Sequence, residues 1–188
     1  MTGLLSDYLG ELTRLFGEME VRDGGGATLS LEAGAKAALD LIRAAKGAGR
    51  TAMAVGNGGS AAIASHTQND LCKAVKMRAL VFTETPLLTA FTNDEGYEGA
   101  YESMLKLWAA PGDLLIAISS SGNSPNILRA ARAAREAGCQ VITLSGFGSD
   151  NGLRRLGEVN FYVPSHSYGH VELVHAALAQ FLTDSLKG

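Results

Sequence analysis

Thr51-Ala52-Met53-Ala54-Val55-Gly56-Asn57-Gly58-Gly59-Ser60 decides the fold of this chain, and Asp113-Leu114-Leu115-Ile116-Ala117-Ile118-Ser119-Ser120-Ser121-Gly122-Asn123-Ser124 repeats its logic. Each stretch is an apolar run that opens into a loop of small residues and then into a helical pattern. Continuous apolar runs suit strands covered on both faces, as in a parallel sheet. Right-handed crossovers then place both loops at the carboxyl edge of that sheet. A helix start there offers unpaired N–H groups and a partial positive charge. Glycine allows close approach to the backbone and serine adds hydroxyl donors. The pair of loops therefore reads as a cradle for a phosphate and the sugar attached to it.

Outward from these units the α/β alternation continues. Strands are expected at 51–55, 78–82, 113–118, 140–145 and 159–163, separated by helical patterns at 60–74, 86–92, 98–109, 124–137 and 168–186. Before the first strand, Leu4, Leu5, Leu9, Leu12, Leu15, Phe16 and Met19 are spaced as a helix over 4–20. Asp23-Gly24-Gly25-Gly26 breaks it, and Thr28 or Ser30 caps a second helix from Leu31 to Lys46. These two helices either cover the sheet or pair with another subunit, and the second reading is preferred. The expected organisation is one domain, with residues 1–49 as an oligomerising helical pair and 50–188 as the αβα core.

The 188 residues suffice for a substantial core, and 46% hydrophobic with 19% charged residues is an ordinary globular composition. A net charge of −3 gives no global basic field for nucleic acid. Arg129, Arg132 and Arg135 line one helix face and read as a solvated face. Cys72 and Cys139 belong to no CxxC or metal-ligand pattern, so they read as ordinary thiols. Met1–Asp7 lacks the basic region and apolar run of a signal peptide, and no apolar stretch approaches the ~20 residues that span a bilayer. No membrane association is expected, and the chain reads as cytoplasmic.

The first loop is not a Walker motif, because no GK[ST] follows. Nor is Gly56-Asn57-Gly58-Gly59-Ser60-Ala61 a clean GxGxxG, and Met77 and Arg78 stand near the offset where an acidic ribose contact belongs. No nucleotide cofactor is expected. The second loop is more specific: four serines in six residues give four hydroxyls where one helix cap needs one. Ionisable residues follow at helical spacings. His66 and Asp70 share a face of one helix. Glu172 and His175 are three apart on the last helix, with Gln180 two turns beyond Glu172. Such pairs ligate metals or move protons, and they also occur as plain surface or core residues. Asn93-Asp94 reads as a helix cap or a sugar contact.

Val55-Gly56-Asn57-Gly58-Gly59-Ser60 with His66 six residues on, Thr92-Asn93-Asp94, Ile118–Ser124 and Val163-Pro164-Ser165 together resemble the phosphoheptose isomerase branch of the SIS (sugar isomerase) family. The resemblance covers nearly the whole chain. It implies a three-layer αβα sandwich with a five-stranded parallel sheet, and a homotetramer with active sites between subunits. It implies isomerisation of sedoheptulose 7-phosphate to a heptose 7-phosphate used in lipopolysaccharide heptose synthesis. Ser119, Ser120, Ser121 and Ser124 match the family's phosphate loop. Asn57, Gly58, Ser60, Asn93 and Asp94 match its sugar-contacting segments.

The family's base is a glutamate at the position of Asp70. Its last-helix glutamine and histidine stand here as Glu172 and Gln180, and Ile63 replaces a usually acidic residue. Catalysis is therefore expected from Asp70 and Glu172, with His175 as a candidate for the displaced acid and His166 and His170 as further candidates. Some members hold zinc at these positions, which implies one zinc per active site on His66, Asp70, Glu172 and Gln180. A glutamine oxygen is a poor zinc ligand. The alternative is a non-catalytic relative that binds sugar phosphates or protein partners, as does one family member that associates with the replication initiator.

Overall fold

In the computed structural model, which describes residues 3–187, the central strand is β5 (Leu114–Ser119), buried at all six positions. It pairs in parallel with β3 (Ala52–Val55) and β6 (Gln140–Gly146). Strand β4 (Ala79–Val81) extends the sheet beyond β3, and β7 (Val159–Val163) extends it beyond β6, both in parallel. The apolar run of β5 is explained by its two faces. Leu114, Ile116 and Ile118 pack into one core layer with Ala38, Ile42, Ala64 and Leu178. Leu115 and Ala117 pack into the opposite layer with Met104, Ile127 and Ala130. The first layer is covered by α2 (Leu31–Gly47), α3 (Gly59–Lys73) and α7 (Tyr168–Asp184), the second by α5 (Tyr97–Trp108) and α6 (Pro125–Glu136). Alternate side chains of each strand serve alternate layers, as the period of two requires. The expected αβα sandwich with five parallel strands is present.

The N-terminal expectation is corrected. Helix α1 (Leu5–Gly17) stops short of residue 20. The next residues form a hairpin, β1 (Glu20–Asp23) and β2 (Thr28–Leu29). Strand β1 lies antiparallel against β7, so the sheet has seven strands in the order β2-β1-β7-β6-β5-β3-β4. The Asp23–Gly26 break is the hairpin turn, held by the Asp23 carboxylate accepting from Gly25 N and Ala27 N, both at 2.9 Å. The described part of the expected 1–49 segment is thus not a separate helical pair: β1 completes the edge of the core sheet, and Val21 is buried in the same layer as Phe161. Ser30, not Thr28, caps α2 by accepting from Ala33 N at 3.2 Å. On α6 the three arginines face solvent, and two of them pair at the surface, Arg129 with Glu102 at 2.5 Å and Arg135 with Glu158 at 3.6 Å.

Candidate active site

The two Gly/Ser loops meet at the carboxyl edge of the sheet, at the ends of β3 and β5. They enclose a cleft of about 140 Å³ whose lining includes Asn57, Ser60, Ser119, Ser121, Ser124 and Glu172. Ser119 Oγ lies 3.2 Å from Ser124 Oγ and 3.5 Å from Ser121 Oγ. Ser120 is buried and its hydroxyl has no partner. Ser124 is the N-cap residue of α6, yet its side chain caps nothing. The next residue, Pro125, brings no N–H of its own. A helix start with an idle cap and a ring of serine hydroxyls suits an anion that supplies the missing acceptors.

The Gly56–Ser60 loop is held by a reciprocal amide pair. Asn57 Nδ2 donates to Asn126 Oδ1 at 3.0 Å, and Asn126 Nδ2 donates to Asn57 Oδ1 at 2.8 Å. Tyr97 OH donates to the same Asn57 oxygen at 2.7 Å, and Tyr101 OH to Gly56 O at 3.0 Å. Burial pushes the Tyr101 phenol well above its usual range, so it stays a donor. Gly58 is the N-cap of α3 at φ +52° and turns the chain without lining the cleft. Gly59 leaves room for Glu172, because a side-chain carbon there would fall on the carboxylate. The Glu172 carboxylate therefore sits at the positive end of α3, facing the serines.

A second group lies further along α3 and α7. His66 Nε2 is 3.0 Å from Gln180 Oε1 and 3.4 Å from Asp70 Oδ2. Gln180 Nε2 donates to Asp184 at 2.9 Å, which turns the amide oxygen toward His66. Thr183 Oγ1 approaches Asp70 at 3.4 Å. A shallow surface hollow lined by Ala62, Ile63, His66 and Ala176 opens beside this group.

The family model described as SIS domain matches residues 27–146. The chain is 37% identical over 152 residues to the phosphoheptose isomerase of Citrifermentans bemidjiense, covering 74% of this chain and 78% of that one. It is also 37% identical over 152 residues to the phosphoheptose isomerase of Aliarcobacter butzleri, covering 77% of each. The solved phosphoheptose isomerase GmhA of Neisseria gonorrhoeae superposes with a TM-score of 0.83 at 27% identity, covering 97% of this chain and 96% of that one. The chain belongs to the phosphoheptose isomerase branch of the SIS domain family.

In this SIS domain the expected site residues divide. Asn57, Ser60, the four serines and Glu172 converge on one cleft, while His66, Asp70 and Gln180 form their own group. Glu172 and Gln180 are eight residues apart on one helix, roughly 12 Å along its axis at 1.5 Å per residue. The four positions expected to hold zinc therefore do not meet within one chain. Zinc takes four closely held ligands, and the His66 nitrogen nearest the group is already matched to an amide oxygen. Among the described residues no three His, Cys, Asp or Glu side chains converge as a ligand set.

Two expectations are corrected. His175 does not reach the cleft: it is fully buried, with Nε2 3.1 Å from Ser145 O and Nδ1 unpartnered. Burial pushes its pKa down to about 4, which keeps it neutral. Asn93 and Asp94 lie exposed in the last turn of α4 (Thr85–Glu95), outside the cleft lining, with the Asn93 amide donating to Asp94 at 2.8 Å. His170 packs on Tyr8 of α1 with ring centres 4.5 Å apart. Tyr97, Asn126 and Tyr168 were not singled out from sequence, yet they hold or line the cleft. Asn126 had one signal, a second amide placed one residue after the cap Ser124-Pro125.

Proposed function

We propose that this protein isomerises sedoheptulose 7-phosphate, a ketose, to D-glycero-D-manno-heptose 7-phosphate, the corresponding aldose, in heptose synthesis. The observation that carries the reading is the meeting, in one cleft, of an uncapped helix start ringed by serine hydroxyls with the carboxylate of Glu172. The serines and the start of α6 bind the phosphate. Asn57 and Ser60 meet the sugar hydroxyls. Isomerisation takes a proton from C1, passes through an enediol and returns a proton to C2, while a hydroxyl proton moves between O1 and O2. Two carboxylates divide this work. Asp70, beside His66, is assigned the carbon-bound proton and Glu172 the oxygens.

The two groups work together across subunits. A cleft of about 140 Å³ is below the ~300–1,000 Å³ of typical ligand pockets, so it encloses the phosphate end and leaves the reacting end of the sugar projecting. The hollow beside His66 and Asp70 supplies the other half from a neighbouring copy. Support for a partner comes from α1, whose Leu5 and Leu9 are exposed, with Phe16 and Phe181 beside a neighbouring apolar hollow. The assembly is a homotetramer in this reading.

A coupled assay with sedoheptulose 7-phosphate tests the proposal. Asp70→Ala and Glu172→Gln should each lower kcat by about 100- to 10,000-fold. Ser121→Ala should act mainly on KM. Unchanged turnover in Asp70→Ala would sink the assignment. Binding of the sugar phosphate without turnover by the wild type would favour the non-catalytic alternative.

A further inference from the structure

The cleft has one wall unlike the rest. Its other lining groups are hydroxyls, one amide and a carboxylate, but Tyr168 presents an aromatic ring. Tyr168 opens α7 and stands four residues before Glu172, so both side chains lie on one helix face. Tyr168 is 61% exposed.

It is nevertheless braced. Tyr168 meets the Phe147 ring edge-on with centres 4.8 Å apart, and the His166 ring lies 5.4 Å from the same Phe147 ring. Phe147 itself sits at φ +59°, a backbone conformation that costs a bulky residue energy. Two hydrogen bonds hold it there: Phe147 N donates to Ser165 O at 3.0 Å, and Tyr162 OH donates to Phe147 O at 2.7 Å. The turn after β6 is thus tied to the strand end of β7, and the tie presents Phe147 as a strut under Tyr168. The result is a doubly anchored ring braced against an exposed one at the mouth of a polar cleft.

We infer that Tyr168 is a specificity-determining residue, the apolar wall along which the carbon chain of the sugar phosphate lies as it leaves the phosphate loop. This rests on the sugar-phosphate reading of the cleft. A phosphate fixed by Ser119–Ser124 puts the neighbouring carbons at the mouth, and among the described residues of this chain that line the cleft, Tyr168 is the one that offers their C–H groups an aromatic face. A longer chain covers more of the ring than a short one, so the contact favours seven carbons over five.

Calorimetry tests the inference independently of turnover. The probes are sedoheptulose 7-phosphate and ribulose 5-phosphate, which carry the same phosphate on chains of different length. Wild-type protein should bind the longer sugar more tightly, and Tyr168→Ala should reduce that preference by about tenfold, the scale of a lost apolar contact. Tyr168→Phe keeps the ring and should keep the preference. Phe147→Ala removes the strut and should reduce the preference less than Tyr168→Ala. Binding of inorganic phosphate should be the same in all four proteins, which separates loss of the wall from loss of the fold. An unchanged ratio in Tyr168→Ala overturns the inference, as does a ratio lost equally in Tyr168→Phe. Failure of the isomerase reading shows separately, as binding of sedoheptulose 7-phosphate without turnover.

Discussion

His175 is the residue whose place in the structure differs most from its promise in the sequence. Three positions after Glu172 it looks like a proton donor, but α7 turns it inward, against the Ser145 carbonyl at the end of β6. Helical spacing of three or four puts two residues on neighbouring faces, and only packing decides which of them meets solvent. The burial has a measurable consequence. In the folded chain the imidazole titrates at about 4, against about 6.5 when unfolded. Between these values the unfolded chain binds a proton that the folded chain refuses, so folding stability falls as pH drops from about 6.5 toward 4. The shift corresponds to about 3 kcal/mol once pH lies below both values. Denaturant unfolding at pH 7.5 and pH 4.5 should show most of this loss, and His175→Asn should flatten the difference between the two. An equal pH dependence in the variant would show that other groups carry it.

The elements that carry the site were legible where local pattern and tertiary role agree. Leu114–Ile118 reads as a doubly covered strand because both its faces are covered, and the serine loop after it needs no distant information. The hairpin was hidden for the opposite reason. Met19 continues the helical spacing of Leu12, Leu15 and Phe16, and Val21 is the one buried residue of β1, too little to announce a strand before β7 is there to pair with it. Tyr168 was hidden too, since the Phe147 turn that braces it shows no local signal. At the start of α3, Gly59 illustrates how an element serves the site at its own expense. Glycine is a weaker helix former than alanine, and here at the first position of α3 it makes room for the Glu172 carboxylate. Gly59→Ala should push that flexible carboxylate aside rather than disrupt the fold. The melting temperature should hold or rise while kcat for sedoheptulose 7-phosphate falls at least tenfold, the sensitivity expected of a displaced catalytic group. A variant with full activity would place Glu172 outside the chemistry.

At the scale of the whole molecule, the distance between Glu172 and Gln180 is what the proposed shared site has to span. Two groups about 12 Å apart on one rigid helix serve one reacting centre only if a second copy brings its own set to the first. In a two-fold interface of the assembly proposed above, the exchange would be reciprocal, each subunit lending His66 and Asp70 and receiving them. That geometry has a signature no single-chain site can produce. Asp70→Ala and Glu172→Gln, each nearly inactive alone, should regain activity when co-expressed. In a mixed pair, one site receives an intact Asp70 from one subunit and an intact Glu172 from the other, while the second site is doubly defective. Random pairing makes half of the pairs mixed, each with one of its two sites intact, so about a quarter of wild-type activity should return. The regained activity should carry the wild-type KM, because the restored sites are unaltered. If the mixture stays at the level of the separate variants although mixed oligomers are present, Asp70 and Glu172 serve the same site from one chain or do not share a site at all.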